Sequence, residues 1–138
     1  MSQATVIVQK RDHIGIISLN RPEQLNTFNT ALATDLNKAL VDLDNDEDIR
    51  VVVIRGIGKA FSAGIDVSEY FGKTQREYYE WISLMERMAH VIAYMKKPVI
   101  ASAHGFAVAN GAGLILSLIH ISEPTRPLYI SYAVFCLK

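Results

Sequence analysis

Residues 1–115 contain no cysteine; the single cysteine of the 138-residue chain is Cys136. Disulfides and cysteine-bound metals are therefore excluded from that stretch, and no metal ligands are assigned. No apolar run approaches the roughly 18 residues a membrane-spanning helix needs. The opening MSQATVIVQKRDHIGIIS lacks the apolar core of a secretory leader. Neither sign of charge dominates: 14 Lys+Arg stand against 14 Asp+Glu, so no basic field invites nucleic acid. What remains is ordinary globular composition, half apolar and one fifth charged, at a length that suits one domain. A soluble cytoplasmic protein with neither membrane nor nucleic acid as partner is the expectation.

The last part of the chain has a different character. Leu116–Lys138 reads LSLIHISEPTRPLYISYAVFCLK. The adapter DNA used in tagmentation sequencing libraries, translated in one frame, encodes Leu116 through Arg126. A short index then supplies Pro127, Leu128 and Tyr129. The flow-cell primer continues in the same frame through Ile130–Leu137. Residues 116–138 therefore resemble a non-native, adapter-derived tail, and such scars are set aside when a fold is read. Function is to be sought in residues 1–115, which look truncated.

Within those residues, strands and helices alternate. Ala4–Lys10 and His13–Asn20 read as two strands joined tightly at Arg11-Asp12. Pro22 breaks the pattern. Asn29 or Thr30 can cap a helix whose apolar stripe is Leu32, Leu36, Leu40 and Leu43, with Ala39 beside it. Asp44–Asp48 is a charged, solvated exit. Val51–Ile54 is a β-branched run suited to a strand covered on both faces. A loop follows through Ala63-Gly64, then a helix from about Thr74 to Met95 with Ile82, Met85, Ala89 and Ile92 facing inward. The methionines read as core filler. Val99–Ala103 is another buried strand, and Gly105, Ala109, Gly111 and Gly113 mark a turn into a further helix. The order ββαβαβα, without internal repeat, argues an α/β layered fold.

Two strand–loop–helix junctions could carry chemistry. One runs from Gly56 to Asp66, the other from His104 to Leu114. Both supply small residues where backbone can approach a ligand, and successive N–H groups there can point outward. If the junctions converge, one N–H from each can grip a developing oxyanion. Tight packing without catalysis is the alternative that glycine richness alone leaves open.

The segments HIGIISLNRPEQLNTFN, VVVIRGIGKAFSAGIDV and KPVIASAHGFAVANGAGL resemble, in order and spacing, the enoyl-CoA hydratase/isomerase (crotonase) family. The resemblance covers nearly all of residues 1–114. It implies a crotonase-like spiral of ββα turns, truncated here after the second oxyanion-hole segment. It also implies acyl-CoA thioester substrates, fatty acid metabolism, and assembly as a homotrimer or a dimer of trimers. No separate cofactor is implied, since coenzyme A is part of the substrate. The resemblance places the first oxyanion donor at Ala63 and the second at Asn110. Ser62, Ala63, Gly64, Ile65 and Asp66 would form the loop beside the coenzyme. Where the family's hydratases carry a glutamate, this chain has Gly113, which puts ordinary water addition in doubt. A base beyond residue 115 would then be needed for a proton shift, and the 138 residues alone are expected to be inactive. A crotonase-fold thioesterase or decarboxylase, or a non-catalytic CoA-binding or interaction subunit, are the alternatives.

Other motifs fail on inspection. Gly58-Lys59 lacks the Ser or Thr and the first glycine of a P-loop. Gly111-Ala112-Gly113 lacks the third small residue and the context of a dinucleotide fingerprint. Ser62, His104 and Asp66 could form a hydrolase triad, but no G-x-S-x-G elbow is present. Ser62 reads as a loop-stabilising hydroxyl, His104 as a strand-end residue with one local hydrogen bond, and Asp66 as a helix N-terminal cap. His13 reads as a surface turn residue, and Lys59 as a solvated lysine or a phosphate contact. Tyr70, Phe71, Tyr78, Tyr79 and Trp81 could wall an acyl pocket, pack, or meet another subunit.

Overall fold

Alternating apolar residues at both ends of a two-residue turn close the first hairpin. A computed structural model describes residues 4–108, 119–122 and 129–130. Strands β1 (Val6–Arg11) and β2 (Ile14–Leu19) pair antiparallel, Val6 opposite Leu19 and Arg11 opposite Ile14. The turn is Asp12-His13, one residue later than expected. Asp12 takes a left-handed φ of 50°, which a short polar side chain tolerates. His13 is exposed at that turn, its Nδ1 2.8 Å from the Asp48 carbonyl oxygen.

Helix α1 (Thr30–Asp44) starts where the Asn29 side chain accepts the Leu32 N–H at 2.8 Å. Leu32, Leu36, Ala39, Leu40 and Leu43 are all buried, as their spacing requires. The acidic exit is stitched down rather than loose. Lys10 pairs with Asp46, and Lys97 Nζ donates to the Leu43 and Asp46 carbonyls. Strand β3 (Val51–Gly56) then lies parallel to β2, and β5 (Val99–Ala103) parallel to β3. Only one face of β3 is fully covered: Val52 and Ile54 are buried, while Val51 and Val53 stay half-exposed.

Helix α2 (Gln75–Tyr94) opens with a reciprocal capping box between Thr74 and Glu77. It buries Trp81, Met85, Met88 and Ile92. Met85 and Ile92 face inward as expected, while Trp81 and Met88 are buried where Ile82, which is half-buried, and Ala89, which is exposed, were expected. The Trp81 indole, 5% exposed, takes the core and brings Met88 with it, since a large ring buries more area than alanine. Both methionines fill the core cluster.

The first sheet has the order β1-β2-β3-β5-β7, where β7 is Ile119–Ser122. A second, smaller sheet orders β4 (Ala60–Ser62), β6 (Phe106–Ala107) and β8 (Tyr129–Ile130). β4 and β6 occupy stretches expected to be loop and turn, and β8 lies in the stretch read as the adapter-derived tail. The helix expected after Gly113 lies outside the described residues. Among the described residues no helix is long and apolar enough to cross a membrane.

Candidate functional site

Two glycines bring the junctions together. An alanine methyl at Gly56 would sit 2.4 Å from the Ala60 carbonyl oxygen and 2.6 Å from that of Phe61. One at Gly105, whose φ is +60°, would sit 2.1 Å from the Lys59 carbonyl oxygen. Without a Cβ at these points the end of β3 and the start of β6 lie directly against β4. Ala60 then registers with Phe106 and Ser62 with Ala107. Phe61 N–H donates to His104 O at 2.9 Å, and Val108 N–H to Ser62 O at 3.1 Å. Asn110, two residues further on, lies outside the described residues.

The loop after β4 is defined by where its amide hydrogens go. Ala63 N–H donates to Leu25 O at 2.9 Å. Gly64 N–H donates to the Ser62 hydroxyl at 3.2 Å. Asp66 N–H donates to Phe28 O at 2.9 Å, while Phe28 N–H donates to Gly64 O at 2.7 Å. Phe28 thus grips residues 64 and 66 in a one-residue parallel bridge with Ile65. In such a bridge the intervening residue turns its own N–H and C=O to the opposite edge. Among the described residues, Ile65 N–H is the one amide of residues 63–66 with no acceptor. The Ala63 N–H, expected as the first donor, is held by Leu25 O, and the uncommitted amide lies two residues later.

The polar side chains around the loop hold it in place. Ser62 is fully buried, and its hydroxyl donates to Asn26 O at 2.8 Å. Asn26, also fully buried with φ 54°, ties three segments. Its Nδ2 donates to Ile57 O (2.9 Å) and Ala60 O (2.8 Å), and its Oδ1 accepts Arg21 N–H (2.8 Å). Arg21 Nη2 reaches Asp66 Oδ2 at 3.0 Å, with both side chains only about 15% exposed. Asp66 Oδ1 accepts the Ser68 hydroxyl (2.6 Å) and amide (3.2 Å), capping a short 3-10 turn. Glu69 Oε2 accepts Thr30 N–H, the Thr30 hydroxyl and Trp81 Nε1.

These contacts dispose of a triad. Ser62 Oγ is bonded to Asn26, His104 Nε2 lies 2.8 Å from Gly58 O, and Asp66 faces Arg21. The His104 bond reaches across the two junctions and is not local. The Ser68 hydroxyl, with Arg21 behind it, holds the Asp66 carboxyl below the usual carboxylate range. A group so held stays ionised and makes a poor general base near neutrality. Its stabilising contribution is complete above the ordinary aspartate value of about 3.9 and is lost as pH falls through the lowered folded value. Asp66→Asn is expected to be less stable than wild type at pH 7, with the gap closing only in acid. Urea unfolding at stepped pH checks this; a gap unchanged from neutrality to strong acid would contradict it.

Tyr70, Phe71, Tyr78, Tyr79 and Trp81 do cluster. Tyr70 meets Phe71 and Tyr78 edge-on at 5.6 and 5.3 Å, and Phe71 is 77% exposed. The residues that sequence reasoning missed are Arg21, Asn26 and Glu69. Two polar residues next to Pro22 and between Leu25 and Phe28 resemble loop filler, and nothing in their spacing shows burial.

Comparison with known proteins agrees with this architecture. The sequence profile described as enoyl-CoA hydratase/isomerase matches residues 9–119. A Thermus thermophilus protein provisionally named an enoyl-CoA hydratase is 38% identical over 123 residues, covering 85% of this chain and 48% of that protein. The short-chain-enoyl-CoA hydratase of Clostridium acetobutylicum is 29% identical over 118 residues, covering 85% and 45%. Among solved structures, the enoyl-CoA hydratase of Thermoplasma volcanium superposes with a TM-score of 0.84 at 30% identity, covering 96% of this chain and 54% of that one. A Legionella pneumophila crotonase-type structure gives 0.86 at 28% identity, covering 99% and 54%. The chain spans about half the length of the curated relatives it matches. With the crotonase α/β fold in place and the profile matched over most of its residues, the chain belongs to the enoyl-CoA hydratase/isomerase family.

Proposed function

We propose that these residues form one side of an acyl-CoA thioester site, in which the Ile65 N–H donates to the thioester carbonyl oxygen. The observation that carries this reading is the bridge to Phe28, which turns one uncommitted amide outward in an otherwise saturated loop. A second donor at the main chain of Asn110 completes the pair, and only its amide is needed. Two such N–H groups favour the enolate over the neutral thioester, because negative charge grows on that oxygen during reaction. No carboxylate stands at Gly113, and Asp66 is tied to Arg21 and Ser68. This favours double-bond migration or another enolate reaction over water addition, with the base supplied by chain beyond residue 115. The substrate is a 2- or 3-enoyl-CoA, with coenzyme A as part of the substrate and no other cofactor, in a homotrimer or dimer of trimers in the cytoplasm.

Leu116–Lys138 belongs, in this reading, to adapter DNA rather than to the evolved domain. The frame-preserving match over Leu116–Leu137 supports it. Reading the source DNA without that adapter is expected to give a different continuation after Ile115, one that contains a carboxylate available for proton transfer.

The functional test uses crotonyl-CoA and 3-hexenoyl-CoA with the chain continued from that DNA. Turnover of the 3-enoyl ester without hydration of crotonyl-CoA is the expected outcome. Robust hydration would overturn the assignment made from Gly113. Binding of both esters with turnover of none, thioester hydrolysis and decarboxylation included, would favour a non-catalytic subunit. The 138-residue chain alone is expected to turn over neither ester.

A further inference from the structure

The orientation of the Ile65 amide is not fixed by its own loop. Gly64, its neighbour, has φ +99°, and glycine gives the loop little stiffness of its own. Two backbone bonds to Phe28 hold residues 64 and 66. Arg21 then ties the same two strands of chain from the side: Nη1 donates to Thr27 O at 2.5 Å and to Thr27 Oγ1 at 3.3 Å, and Nη2 to Asp66 Oδ2 at 3.0 Å. The backbone of Arg21 is itself rooted on buried Asn26, which accepts its N–H and donates to its carbonyl at 2.9 Å.

We propose that Arg21 is a positioning residue, a strap across Thr27 and Asp66 that keeps the Ile65 N–H aimed at the thioester carbonyl. This inference rests on the thioester reading for its target, though not for its geometry. A phosphate-binding role fits poorly. Both terminal guanidinium nitrogens are engaged, the charge is balanced by Asp66, and the side chain is only 15% exposed. Lysine could not replace it, because one ammonium on a flexible stem does not span a carbonyl and a carboxylate in a fixed plane.

The test compares wild type, Arg21→Lys and Arg21→Met as nitrogen-15-labelled 138-residue chains, with amide hydrogen exchange followed by NMR. Exchange at Phe28 and Asp66 is expected to rise at least tenfold in both variants, with a moved Ile65 amide resonance, while Val52 and Ile54 in β3 keep their protection. Unchanged exchange at Phe28 and Asp66 would overturn the proposal. So would an equal loss across β3 in the milder Arg21→Lys, since that marks a purely global role. The second readout is crotonyl-CoA carrying carbon-13 at its carbonyl, bound to the continued chain. Its carbonyl shift on binding is expected to fall by half or more in Arg21→Lys; an undiminished shift would count against the strap. The exchange measurement needs no ligand. A chain that shows the exchange effect but never binds crotonyl-CoA would sink the thioester reading and leave the strap standing.

Discussion

Replacing the Ile65 peptide N–H by an ester oxygen, through semisynthesis of the continued chain, is expected to lower kcat by about 10²–10³-fold with little change in KM. That is the size of loss seen when one oxyanion donor is removed in other enzymes, about 3–4 kcal/mol of transition-state stabilisation. The ground-state carbonyl carries less charge than the enolate oxygen, so the lost hydrogen bond is felt mainly in the transition state. The side chain, the Asp66 N–H bond to Phe28 O and the Arg21–Asp66 pair all remain, while the Phe28 N–H bond to Gly64 O is kept but weakened, because an ester carbonyl accepts less strongly than an amide. The same replacement at Ala63 serves as the contrast. Its hydrogen lies on Leu25 O, so its removal costs stability and leaves kcat near wild type in the folded protein. A large kcat loss at 63 with none at 65 would return the donor to Ala63 and refute the assignment.

Asn26→Ala is expected to destabilise the 138-residue chain by about 3 kcal/mol, the largest effect of any single side-chain truncation in the loop region. The substitution strips the Ile57 and Ala60 carbonyls of a buried donor and the Arg21 amide of its acceptor. Each unsatisfied buried group costs about 1–3 kcal/mol, and local rearrangement recovers part of the total. Asn26→Asp is no remedy. It keeps an acceptor for Arg21 but sets a carboxylate oxygen against two carbonyl oxygens. Asn26→Gly loses the same three bonds but relieves the left-handed backbone, φ 54°, so it is expected to be about 1 kcal/mol less damaging than alanine and still clearly destabilised. Urea unfolding of the three variants measures this; losses below about 1 kcal/mol would show that water replaces the amide there.

Much of this architecture is legible one residue at a time. The leucine stripe of α1, its Asn29 cap and the β-branched run of β3 follow from local periodicity and capping chemistry. So do the existence of α2 and the inward Met85 and Ile92, although Trp81 and Met88 take the places expected for Ile82 and Ala89 because the larger side chains bury more area. Strand β4 is hidden for a different reason. Its three residues are too few to show alternation, and its partner lies more than 40 positions away. The same holds for the loop chemistry. Whether the hydrogen at 63 or at 65 is free depends on Leu25 and Phe28, and no pattern within FSAGID contains them. Arg21 and Asp66 are 45 positions apart, so their pairing has no period to detect. The family resemblance pointed to this loop, but which of its amides is held and which is not is set by partners brought together only in three dimensions.

The small sheet has a consequence for the order of events during folding. β4 and β6 contribute three residues and two, and the whole of α2 separates them along the chain. Closing so long a loop costs conformational entropy before so few bonds can form. The hairpin and the β2–α1–β3 crossover can assemble without it. Docking of β6 onto β4 therefore belongs late on the folding pathway, and its release early in native-state opening. A thioester that touched both junctions would act as a clasp on this late-closing seam, so binding and the last folding step would share one free energy.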